Sequence, residues 1–276
     1  MQDQYAGDVG DYVKLALLRE LGAGKNVGIA WYLTPDESHK NDGRHIDYLS
    51  DEKRSGWEHF CPETYAFLGD MVKRGMRSVS ALEDIKLGST VKFHNVILNA
   101  ETDRTKWFEG LKADLKDSDL VFLDPDNGIE PAGFKPKSKK AIKSVTWSEI
   151  RSLYGPTRPI VIYHHHTRFK GGHLAEIEHL GAKLAKMDVG CVCAIRAKMW
   201  SPRVFFIVGA MPELWAAAER FAERWSPHVT FHPIKGPPDE LGLSPDNPYS
   251  IWAEDRLEKG FKNLTQSELG KRLGIQ

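Results

Sequence analysis

The chain has 276 residues, with 38 Lys plus Arg against 38 Asp plus Glu and a formal net charge of zero. That length suits one large α/β domain or two small ones, and the balanced charge excludes a whole-molecule attraction to nucleic acid or membrane. Cys61, Cys191 and Cys193 are too few and too unevenly spaced for a disulfide framework. With no signal-like start and no apolar run near about 18 residues, the sequence predicts a reduced, soluble, cytoplasmic protein.

Residues 11–21 carry Val13, Leu17, Leu18 and Leu21 at helical spacing, and Gly22 and Gly24 supply a stop. Residues 27–33 predict a buried strand, followed by a polar stretch, 34–56. A loop of that length in a compact domain is usually functional or mobile. The pattern then predicts a helix over 62–74, strands over 78–82 and 91–98, and a helix over 104–115 capped by Asp103. Residues 119–124 run Asp-Leu-Val-Phe-Leu-Asp, an apolar run bounded by turn formers that reads as a strand buried on both faces. A strand at 160–163 and a helix at 172–186 follow. Strands at 190–198 and 203–208 are joined by only Met199-Trp-Ser-Pro202, too short for a parallel crossover, so a hairpin is expected. A helix at 212–225 and a short strand at 229–232 complete residues 1–235. Residues 236–276 are expected to form a C-terminal helical extension packed on that domain. The predicted class is α/β: a single doubly wound Rossmann-like sheet, mostly parallel, closing with an antiparallel hairpin.

The chemistry-bearing groups cluster at expected strand ends. Asp124-Pro125-Asp126-Asn127-Gly128 follows the 119–124 strand, and open α/β sheets bind ligands outside the carboxyl ends of their strands. Asp124, Asp126 and Asn127 are therefore candidate catalytic residues, although Asp-Asn-Gly is also ordinary turn material. Tyr163-His164-His165-His166-Thr167-Arg168 follows the 160–163 strand. Neighbouring side chains on an extended segment alternate, so either His164 and His166 or His165 alone face the crevice. There a histidine can act as base, proton shuttle or metal ligand, or simply solvate a loop. Gly171-Gly172-His173 opens a helix whose free N–H groups suit an anion. Asp8 or Asp11 can cap the first helix, and Asp11 and Lys14 share a face, which an ordinary ion pair would explain. Glu83 and Asp84 end an expected strand, while Asp36, Asn41, Asp42, Arg44 and His45 crowd the long loop. Lys135, Lys137, Lys139, Lys140 and Lys143, with Arg168 and Lys170, form either a phosphate-binding rim or a solvated face.

The alternating elements, Asp124-Pro125 at a strand end and the hairpin resemble the Rossmann-like fold of S-adenosylmethionine (SAM)-dependent methyltransferases, whose fourth strand often ends Asp-Pro-Pro-Tyr. Ala6-Gly7-Asp8-Val9-Gly10-Asp11-Tyr12-Val13-Lys14 resembles the opening Ala-Gly-Asn-x-x-Asp-x-x-Lys of bacterial 23S rRNA adenine-N6 methyltransferases, a helix that covers the cofactor and substrate pocket. The likeness touches residues 6–19 and, more loosely, 119–208. It implies a SAM-dependent enzyme acting on nucleic acid, with Asp124, Asp126, Asn127, His164 and His166 as the catalytic set. Asp11, Lys14, Thr34, Asp36, Glu83 and Asp84 would then hold the cofactor, and Lys137, Lys139, Lys140, Arg168 and His173 the substrate. Two departures stand out: 27–33 is followed by Thr34-Pro35-Asp36-Glu37 with no Gly-x-Gly, and Asn127 stands where the family has its aromatic residue. The Gly-Asp-x-Gly-Asp, Leu-Asp-Pro-Asp-Asn-Gly and Tyr-His-His blocks also resemble an uncharacterised bacterial and phage family, which implies no activity. Two alternatives remain. One is a Mg²⁺- or Mn²⁺-dependent phosphohydrolase or nuclease using Asp124, Asp126 and His164 or His166. The other is an inactive nucleotide-binding subunit.

Overall fold

The structure is a computed structural model that describes residues 1–35, 43, 45–135, 141–155, 157–187 and 189–236. Its strands are β1 (Asn26–Trp31), β2 (Thr90–His94), β3 (Leu120–Asp124), β4 (Gly128–Ile129), β5 (Ser144–Val145), β6 (Ile160–His165), β7 (Val192–Ala197), β8 (Arg203–Val208) and β9 (Val229–Lys235). The α-helices are α1 (Val9–Leu21), α2 (Arg54–Trp57), α3 (Pro62–Lys73), α4 (Val79–Leu82), α5 (Arg104–Asp114), α6 (Trp147–Leu153), α7 (Gly172–Ala185) and α8 (Pro212–Arg224).

Alternation along each strand divides the core into two layers. In β3, Leu120 and Phe122 pack with α1, α3 and α8, whereas Val121 and Leu123 pack with α5, α6 and α7. Both faces of the sheet are therefore covered by helices, which is why β3 and β8 are buried along their whole length. The strand order is β2-β1-β3-β6-β8-β7-β9. Pairings β1–β2, β1–β3 and β3–β6 are parallel, and β6–β8, β7–β8 and β7–β9 are antiparallel. Five strands thus run one way and β8 and β9 the other, in an α/β architecture with a mostly parallel central sheet. A separate ribbon, β4–β5, follows the Asp124–Asn127 turn.

Three expectations change. Residues 78–82 form α4, not a strand: Ser78 accepts a hydrogen bond from Ala81 N and so caps a helical turn. β2 ends at His94 rather than at 98. The β7–β8 hairpin forms, but it does not close the sheet, because β8 inserts between β6 and β7 and β9 adds a further strand beyond β7. The sequence reading had no α6, a seven-residue helix opened by a capping box between Thr146 and Glu149. Apart from Gly236, the expected C-terminal extension lies outside the described residues. Among the described residues, no helix is long and apolar enough to cross a membrane.

Candidate functional site

β1 pairs with β2 on one side and β3 on the other, so the connections leaving β1 and β3 diverge and a crevice opens at their carboxyl ends. A cavity of about 580 Å³ lies there, walled by Asp8, Asp11, Lys14, Asp124, Asp126 and Arg203 among others. Its floor is an ionic cluster. Lys14 Nζ donates to Asp11 Oδ1 at 2.7 Å and to Asp124 Oδ2 at 2.8 Å, and all three side chains are buried. The Trp31 and Tyr163 rings lie 5.6 and 5.7 Å from the same ammonium, a contact that favours the charged form.

Local structure explains how α1 delivers these groups. Asp8 caps the helix by accepting from Asp11 N, and Asp11 Oδ2 accepts from Gly7 N at 3.0 Å. Asp11 and Lys14, three residues apart, then share the face turned to the end of β3. Gly10 lies beneath Arg203, whose Nη1 is 3.9 Å from Asp8 Oδ1; a Cβ at position 10 would overlap the guanidinium.

Burial disfavours charge on the Lys14 ammonium, but the fields of Asp11 and Asp124 outweigh it and drive its pKa up. Burial raises the Asp11 and Asp124 carboxyls above their usual value, and the shared Lys14 only partly offsets this. Two carboxylates on one ammonium leave a desolvated negative charge, so the cluster takes up a proton more readily than free carboxylates do. Asp126 behaves oppositely. Burial opposes its charge, yet the Met1 ammonium at 2.6 Å and Lys143 at 3.4 Å hold its carboxyl below the usual range. The same ammonium donates to the carbonyls of Tyr32 (2.7 Å) and Asp124 (3.4 Å).

The described lining is therefore charge-balanced. Asp8, Asp11, Asp124 and Asp126 give four carboxylates, and Lys14, Lys143, Arg203 and the Met1 ammonium give four cations.

The histidine run divides between two sides of β6. His165 lines the cavity, where burial and then Arg203 push its pKa down. His164 and His166 turn away from it, toward Glu176 on α7. His164 Nδ1 accepts from Ile129 N at 3.1 Å and its Nε2 meets Glu176 at 3.3 Å. His166 Nδ1 meets Glu176 at 2.8 Å. Burial carries the His166 pKa down to about 4. Hydrogen bonds from His164, Thr167 and His166 overcome burial and hold the Glu176 carboxyl far below its usual range. Of the histidine run it is therefore His165 alone that lines the cavity, while His164 and His166, expected as catalytic residues, lie on the other side of the strand. The Asp124–Asp126–His164 metal set is not assembled, because both ring nitrogens of His164 are engaged elsewhere. Among the described residues, no group of three His, Cys, Asp or Glu side chains is arranged to hold a metal.

Of the other expected residues, Asp11, Lys14, Asp124, Asp126 and Asn127 meet at the cavity. Thr34 lies behind Asp126, donating to it at 3.4 Å. Glu83 follows α4 and is bonded by Asn95 Nδ2, away from the cavity, and Asp84 beside it is exposed. His173 stacks on His166 at 4.2 Å rather than offering an anion site at the cavity, and Arg168 is exposed. Asp36, Lys137, Lys139 and Lys140 lie outside the described residues. The sequence reading missed Arg203, Tyr163 and Met1 as lining residues; in Gly-Asp-x-Gly-Asp, the second glycine was the signal for a large side chain packed against α1. Compared with known protein families, characterised proteins and solved structures, the chain matches none.

Proposed function

We propose that this chain is a Rossmann-like, SAM-dependent methyltransferase acting on nucleic acid, with its cofactor and reacting centre in the cavity at the ends of β1 and β3. The Rossmann-like reading is supported by the parallel β2-β1-β3-β6 run, by its order reversal at β1 and by helices on both faces. The observation that carries the cofactor reading is the charge balance around the Lys14-bridged carboxylates. A polyphosphate favours a surplus of cations, and a bare divalent metal favours a surplus of open carboxylates. A ligand bearing both an ammonium and a carboxylate favours what these walls offer. The volume also falls within the roughly 300–1,000 Å³ of ordinary ligand pockets.

Asp126 and the Tyr32 and Asp124 carbonyls form a cradle for an ammonium, filled here by that of Met1, with which a ligand's ammonium would compete. Arg203 and Lys143 can meet a carboxylate. Asp124, its Oδ2 fixed by Lys14, orients a target amine and accepts its hydrogen bond; its raised pKa suits it to taking a proton from that amine. When bound, the cofactor would supply an electrophilic methyl group. The backbone after β1 presents carbonyls rather than a glycine-rich turn, so these side chains bear most of the recognition. Exposed Lys135, Arg168 and Lys170, on the segments that follow β3 and β6, suit a phosphate backbone.

The test is calorimetric titration of the purified protein with S-adenosylhomocysteine, then with Mn²⁺ on metal-free protein. We expect saturable binding of the first, weakened at least about tenfold in Asp126→Asn through loss of a charge-assisted hydrogen bond. A silent thermogram would overturn the proposal. Stoichiometric Mn²⁺ binding that depends on Asp124 would transfer the site to a hydrolase.

A further inference from the structure

Beside the charged cavity lies a second hollow of different chemistry. It measures about 240 Å³ and is lined by Trp57, Met199, Trp200 and His228. The rings form an ordered set: Trp57 stacks on His228 at 4.8 Å and meets Trp200 at 5.6 Å with a 34° tilt. Trp200 is 48% exposed, in a molecule whose other described tryptophans are largely covered. It also holds φ at +40°, and among the described residues no other non-glycine has positive φ. A bulky residue there is strained, and such strain clusters at ligand sites.

Position gives the hollow a role. Trp200 sits in the β7–β8 connection, and the next residues, Ser201 and Arg203, line the charged cavity. Trp200 also meets His45, with ring centroids 5.9 Å apart, and His45 also lines that cavity. The aromatic surface is therefore continuous with the proposed active site. Its outer border is cationic or hydrogen-bonding: exposed Lys198 and His59 both bear on His228, helping burial to lower its pKa. Ring faces next to a cation, at the mouth of a polar cavity, form the pattern by which single-stranded nucleic acid is held. Bases stack on the rings and phosphates meet the cations.

We infer that Trp200, backed by Trp57 and His228, is a stacking platform for a nucleobase flanking the target nucleotide of a single-stranded nucleic acid. This rests on the nucleic-acid reading of the neighbouring cavity and names the surface that carries it. It also supplies an aromatic face that Asn127 does not.

The experiment is fluorescence anisotropy with fluorescein-labelled 12-mer oligoadenylates, ribo and deoxy, and an abasic 12-mer of equal charge. Base–aromatic stacking of about 1–3 kcal/mol per base converts to roughly 5- to 150-fold in affinity. Trp200→Ala should lose affinity in that range for the adenylate of one or both sugars. It should leave the abasic strand and the salt dependence unchanged. Trp200→Phe should recover most of the loss, which separates stacking from a folding defect. Adenylate binding unaffected by Trp200→Ala, equal loss with the abasic strand, or no binding by the unmodified protein would overturn the inference. Titration of Trp200→Ala with S-adenosylhomocysteine keeps the two proposals distinct. Loss of stacking with cofactor binding retained sustains both, whereas a Trp200-dependent adenylate complex with no cofactor binding sustains the platform alone.

Discussion

Replacing Lys14 by Met tests the ionic floor directly. The substitution keeps most of the side chain's volume but removes the ammonium that both Asp11 and Asp124 bond at 2.7 and 2.8 Å. Two buried carboxylates are left facing each other across an apolar group. Breaking a buried ion pair by deleting one partner costs about 3–5 kcal/mol. With a urea m-value of about 3 kcal/mol/M, that moves the unfolding midpoint down by roughly 1–1.7 M. The pH dependence gives the sharper check. Asp11 and Asp124 already have raised pKa values, and losing Lys14 raises them further. A carboxyl with a raised folded-state pKa takes its proton in the native state first, so the native state gains relative stability as pH falls through that value. The Lys14→Met penalty should therefore be largest at pH 7–8 and shrink toward pH 4. A penalty below about 1 kcal/mol at pH 8, or one that grows on acidification, would show that the three groups do not share a desolvated site.

Gly10→Ala should destabilise by about 1–3 kcal/mol through overpacking, because its methyl would displace Arg203 from Asp8. Gly56→Ala, in α2 with open space around its Cα, should change stability by no more than about 0.5–1 kcal/mol, and in the favourable direction; thermal unfolding of the pair separates crowding from a general glycine effect. His166, on the far side of β6, predicts acid sensitivity of the opposite sign to that at Asp11 and Asp124. His166 is held neutral down to about pH 4. The unfolded chain therefore binds the extra proton first, and this contribution is lost as pH falls from 6.5 to about 4, by at most about 3 kcal/mol. His166→Gln should flatten stability across that window in urea titrations at stepped pH. An unchanged slope would mean the ring is solvated.

The strand carrying Asp124 was legible because four successive apolar residues bounded by turn formers suit a strand covered on both faces, and all five of its residues are buried. The alternation of the histidine run was legible too, but not its phase. Phase is set by Glu176, which approaches from α7 and takes His164 and His166 together. The Asp11–Lys14 pair could be seen in the sequence as an i,i+3 contact, whereas its third member comes from a strand across the sheet. That third member turns an ordinary surface pair into a buried cluster. Residues 78–82 misled because Ser-Val-Ser-Ala-Leu alternates like a strand, while the Ser78 hydroxyl commits the backbone to a turn. α6 escaped because seven residues give too little periodicity, although Thr146 and Glu149 spell its capping box. Arg203 read only as the start of a strand; its charge matters because Gly10 leaves room for it beside Asp8.

β6 separates two polar systems that the sequence writes as one run. Tyr163 and His165 face the cavity with Lys14, while His164 and His166 face Glu176 on the opposite side. Each system is closed in a different way. The Glu176 side saturates one carboxylate with hydrogen bonds from both imidazoles and Thr167, leaving the Glu176 carboxyl little capacity for a ligand. The cavity side shares its charges across separate elements: Lys14 bridges Asp11 and Asp124, Asp126 takes both the Met1 ammonium and Lys143, and Arg203 lies 3.9 Å from Asp8. Such pairs can exchange partners with an incoming group of either sign at little change in net charge. Both faces of the strand thus carry buried ionic groups, and under the proposed function the cavity face also meets the ligand. A substitution at Glu176 should act through folding, whereas one at His165 should act through the proposed ligand.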